Sequence, residues 1–160
     1  MSALFASFIS AGLSRADIIP VQGSTTGVFI SQSNVQSSSV GNLTFTGATF
    51  GPVTSDQLLT LGTFDLDNGT FNYNNFTFNL AVSFTMPSGT AGDPITGDID
   101  GNVHGNTGSV SIDFPSTPAH FTFANNTASG SFDLTLSDVT LNLDVNNGVG
   151  SITGRLSNVV

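Results

Sequence analysis

Residues 131–145 read SFDLTLSDVTLNLDV, and their apolar positions change phase halfway. Phe132, Leu134 and Leu136 fall on even numbers, whereas Val139, Leu141, Leu143 and Val145 fall on odd ones. A period of two belongs to a strand with one buried face. Slipping it by one residue would throw the apolar set to the other face if the strand continued unchanged. The slip at Ser137-Asp138 therefore predicts a β-bulge or a tight break between two strands. A second slip surrounds Gly47, where Leu43 and Phe45 give way to Ala48 and Phe50.

Outward from these points the same period dominates. In FTFNLAVSF, Phe76, Phe78, Leu80, Val82 and Phe84 share one face and Thr77, Asn79, Ala81 and Ser83 the other. SVSIDF and AHFTFA repeat it with Val110, Ile112 and Phe114 and with Phe121 and Phe123. Turn signals such as Asn68-Gly69, Pro87-Ser88-Gly89 and Asn146-Asn147-Gly148 separate the runs. The division predicts about eight to ten short strands and no helix. The expected fold is all-β, an antiparallel two-sheet β-sandwich of jelly-roll or Ig-like type, with phenylalanines filling the gap between sheets. No fixed repeat implies a solenoid.

Composition agrees. Charged residues are 8% of the 160, against roughly a quarter in ordinary domains. All eleven acids are aspartate, there is no lysine, and the two cations are Arg15 and Arg155. The residues that coat solvated helices are missing, and threonine, serine, asparagine and glycine replace them. A formal charge of −9 without a basic patch excludes nucleic-acid binding and attraction to anionic lipid. With no cysteine there is no disulfide frame and no thiolate metal site.

The first residues have a different character. ALFASFISAGL is an apolar run of signal-peptide length, and Ser14-Arg15-Ala16 supplies small residues for cleavage. Residues 1–16 are therefore expected to be an export signal and 17–160 one secreted domain, although no basic segment precedes the run. No stretch reaches the roughly 20 apolar residues of a membrane helix, so no membrane insertion of the mature domain is expected.

Chemistry is sparse. GDIDGN places Asp98, Asp100 and Asn102 at the oxygen spacing that opens an EF-hand, but Val103 and Ser109 stand where its glycine and glutamate belong. The expectation is a polar turn between strands, with a looser calcium turn as the alternative. DLDNG and DVNNG end in dipeptides typical of type I′ hairpins, which favours turns there. No G-x-S-x-G elbow is present, and His104 and His120 fall in no zinc spacing and read as surface residues. Nothing points to an enzyme. Tyr73, set among Asn72, Asn74 and Asn75, is the candidate for exposed sugar binding. Asn42, Asn68, Asn75 and Asn125 open N-x-[ST] sequons.

The order of motifs resembles a known family. GNLTFTGATF, LLTLGTFDLDNGTF, FNLAVSFTMPSG, SFDLTLSDVTL and GSITGRLS, across roughly residues 26–156, are similar to the choice-of-anchor domains of bacterial surface proteins, the K type above all. The resemblance implies an exported envelope or matrix protein, often carrying a PEP-CTERM tail read by an exosortase. The chain ends at RLSNVV without that tail, so attachment would need residues beyond it, or the protein is released. The family brings no catalytic residues. The leading expectation is a non-enzymatic cell-surface or biofilm-matrix protein. The alternatives are an adhesion module for extracellular polysaccharide, assisted by calcium, and a self-associating fibre subunit with open sheet edges.

Overall fold

A computed structural model of the chain describes residues 19–159, so the expected export signal lies outside the described residues. Within them there are two antiparallel sheets and no helix. The chain alternates between the sheets. β1 (Val21–Ile30) and β2 (Gln36–Ser37) open the first sheet; β3 (Ser39–Val40) and β4 (Leu43–Gly47) open the second. β5 (Thr49–Val53) returns to the first and β6 (Leu58–Leu66) to the second. β7 (Gly69–Asn72) and β8 (Phe76–Met86) are in the first, β9 (Thr90–Ala91) in the second. The hairpin of β10 (Ile95–Gly105) and β11 (Thr107–Asp113) extends the first, and that of β12 (Ala119–Ala124) and β13 (Ser129–Leu136) the second. β14 (Val139–Asn142) ends the first, and β15 (Val149–Ser157) joins the second.

The first sheet runs β14-β11-β10-β8-β1-β2, with β5 also on β1 and β7 also on β10; the second runs β3-β4-β6-β15-β13-β12-β9. The last strand is thus central, between β6 and β13. Each phase slip proves to be a crossing between sheets. At Ser137-Asp138 the chain leaves β13 for β14, and the backbone groups freed there find partners. The Ser137 N–H donates to the Thr153 carbonyl at 3.0 Å, and the Asp138 carboxylate accepts the Phe114 N–H at 2.8 Å.

At Ala48 the chain leaves β4 for β5. Thr25 of β1, a buried polar residue 5% exposed, accepts the Ala48 N–H at 3.0 Å and donates its hydroxyl to the Leu61 carbonyl of β6. Its own N–H donates to the Ala48 carbonyl at 2.9 Å. Strand β1 is thereby tied to the opposite sheet where the chain turns over. Glycine is needed at this crossing: a Cβ on Gly47 would lie 2.0 Å from the Thr25 carbonyl oxygen. Across from it Gly62 has φ +148° and lies beneath the Phe45 ring, where a side chain would be strained and obstructed.

Phenylalanines fill the space between the sheets. Phe78 of the first packs edge-on against Phe45 and Phe64 of the second, both with ring centres 4.8 Å away. Farther along, Phe84 meets Phe121 at 4.9 Å and Phe132 at 5.0 Å. Such tilted and edge-to-face contacts suit ring quadrupoles and need no polar partner.

Two expectations are corrected. Asn68-Gly69 and Asn147-Gly148 make no hairpins: β6 and β7 lie in different sheets, as do β14 and β15. The strand expected over 138–145 stops at Asn142, because asparagine turn chemistry overrides the alternation. The Asn142 carbonyl accepts N–H groups from Asn146 and Gly148, and the Asn146 side chain accepts the Asn142 N–H at 2.8 Å. Val145, expected on the buried face, is 81% exposed.

Candidate functional site

GDIDGN is not a turn. It is the middle of β10, where Ile95, Ile99 and Val103 are buried and Thr96, Asp98, Asp100 and Asn102 are exposed. The β10–β11 turn follows at Gly105-Asn106. Asp98 stands opposite Asp113 on one side and Thr77 on the other; Asp100 faces Ser111, and Asn102 faces Ser109 and Asn72. The polar turn expected here, to which a calcium turn was the alternative, is instead paired strand, bordered by β11, β7 and β8. Among the described residues, no three histidine or acidic side chains lie close enough to hold a metal ion.

Tyr73 is also misplaced by the sequence. It has no exposed surface, so it offers no platform to a sugar. Its ring centre lies 4.8 Å from that of Phe71, and its hydroxyl oxygen accepts the Asn42 N–H at 3.1 Å. Burial pushes the phenol pKa up, and the bond from Asn42 draws it partly back. The segment after β7 is clamped to β10: the Tyr73 N–H donates to the Gly101 carbonyl at 2.9 Å, and the Asn74 side chain accepts the Gly101 N–H at 3.1 Å. Asn75 closes the turn at φ +74°, in the left-handed region that asparagine tolerates.

This clamp positions a feature that periodicity conceals. Phe76, half-buried at the end of β8, forms a wall shared by two open clefts. One, of about 260 Å³, is apolar, with Phe29, Val35 and Val40 beside the hydroxyls of Ser31, Ser37 and Ser39. The other, of about 280 Å³, carries Gln32, Asn75, Thr77, Asp98 and Asp100.

Both histidines are exposed, as their surroundings in the sequence imply. His104 lies 3.5 Å from the Thr70 hydroxyl. His120 Nδ1 lies 2.7 Å from Asp133 Oδ1, and Asn158 Nδ2 donates to Asp133 Oδ2, also at 2.7 Å. These bonds, that from Asn158 foremost, hold the Asp133 carboxyl below its ordinary pKa. Beside His120 an open groove of about 390 Å³ carries Asp93, Thr96 and Thr117. No hydroxyl among the described residues is hydrogen-bonded to His120.

No helix among the described residues is long and apolar enough to cross a membrane. No family model, curated protein or solved structure matches the chain.

Proposed function

We propose that the chain is a non-enzymatic domain of an exported bacterial protein, set at the cell surface or in the biofilm matrix. The nature of its solvent-facing surface carries this reading. The outer positions of the long strands hold Thr26, Asn79, Ser83, Thr96, Thr122 and Thr60, and Arg155 is the one lysine or arginine among the described residues. Such a coat hydrates through hydroxyls and amides instead of ion pairs, so solubility does not hinge on an ionic strength that a cell controls only inside. The resemblance of the strand motifs to choice-of-anchor domains and the apolar run at residues 3–13 support the same location.

Assembly into fibres by strand addition has less support. The sheets are bounded by β2, β3 and β9, of two residues each, by the four-residue β7 and β14, and by β5, which carries Pro52. Short margins and an edge proline give a neighbouring strand little ladder to extend.

Fractionation of the native host tests the proposal. The protein is expected in the envelope or the medium, with an N-terminus at Asp17. Recovery from the cytoplasm with residues 1–16 attached would reject it.

A further inference from the structure

We infer that the end of the sandwich around Phe76 binds a neutral saccharide chain. A pyranose presents an apolar C–H face and a rim of hydroxyls, and the two clefts match these halves. Phe76 supplies an aromatic wall, Val35 and Val40 extend the apolar side, and Gln32, Asn75, Thr77, Asp98 and Asp100 supply acceptors and donors on the other. Ligand sites commonly combine an apolar lining with a few convergent polar groups in this way.

Charge selects the class of sugar. Asp98 and Asp100 border the polar cleft, Asp113 stands across from Asp98, and Arg155 belongs to β15 in the opposite sheet. Uronate or phosphate polymers are repelled from such a rim. A neutral sugar donates its hydroxyl protons to the carboxylates, forming charge-assisted hydrogen bonds. Both clefts are open along the surface, which accommodates an inner stretch of a polymer. The inference goes beyond the surface-domain proposal and does not need it, because it concerns the purified domain wherever the chain resides.

The test uses amide NMR of the full chain titrated with cellohexaose, maltohexaose and mannohexaose, with hexagalacturonate as the anionic control. At least one neutral hexamer is expected to shift resonances within 31–41, 75–77 and 98–100, and hexagalacturonate none. Phe76→Leu keeps apolar bulk without an aromatic face, and Asp98→Asn with Asp100→Asn alters only exposed groups. Each is expected to weaken binding by about tenfold or more while the thermal melt stays near wild type. The inference is overturned if no neutral hexamer shifts these residues, if the shifts map elsewhere, if hexagalacturonate binds equally well, or if folded variants bind like wild type.

Discussion

Thr25 shows how much one hydroxyl can carry in a core made almost wholly of hydrocarbon. It accepts from Ala48 and donates to Leu61, joining strands of both sheets where the chain crosses over. Thr25→Val keeps the shape but leaves a buried N–H and a buried carbonyl unpaired, at a cost of about 1–3 kcal/mol. For a domain of this size that lowers Tm by several degrees in a thermal melt. Thr25→Ser, which keeps the hydroxyl, is expected to avoid most of that loss. Thr25 was visible in the sequence only as one more strand threonine, because periodicity cannot say which hydroxyl meets an interrupted ladder. Tyr73 was misread, although its burial had a signal in the sequence. Asn72 and Asn74 flank it, and polar-aromatic-polar alternation marks a buried position in a strand-like segment. The surrounding asparagines describe their own exposure, not that of the tyrosine.

Among elements, both phase slips could be found in the sequence as slips but not as sheet crossings. A period of two reports which face of a strand is buried and is silent on which sheet the strand has joined. The short strands β2, β3, β7 and β9 were hidden because two to four residues give too little alternation to read. Phe76 was hidden as a cleft residue because it continues the stripe of Phe78 and Leu80; only its place at the strand end leaves it half-buried. The tie among β12, β13 and the residue after β15 makes a prediction at this scale. Asp133 has a folded pKa below its unfolded value of about 3.9, so its contribution is complete above that pH and disappears as pH falls through the lower folded value. Wild type is expected to melt above Asp133→Asn from about pH 6 down to about pH 4, with the two curves converging toward pH 2. A gap that persists at the acid end would mean the carboxylate's charge is not the source of the stabilisation.

At the scale of the whole molecule, eleven aspartates against two cations make self-repulsion a general term, and Asp98 stands directly opposite Asp113 in the first sheet. Like charges directly opposite in a sheet cost a few tenths of a kcal/mol, and salt screens them. Tm is therefore expected to rise with sodium chloride, and Asp113→Asn to raise it at low salt while reducing that dependence. Calcium is expected to act no differently from sodium at equal ionic strength. A rise specific to calcium, lost when Asp98 and Asp100 become alanine, would instead make this face of β10 a cation site.

The central place of β15 bears on how the molecule comes into being. A growing chain has made both partners of that strand, β6 and β13, before Val149 is added. Until then the second sheet is two unjoined halves with a strand-wide gap between them. Hairpins can form earlier, but the shared core of this domain cannot close until β15 is made. While β15 is missing, a domain built in this order can still be drawn through a narrow channel, and its second sheet locks only when that strand arrives.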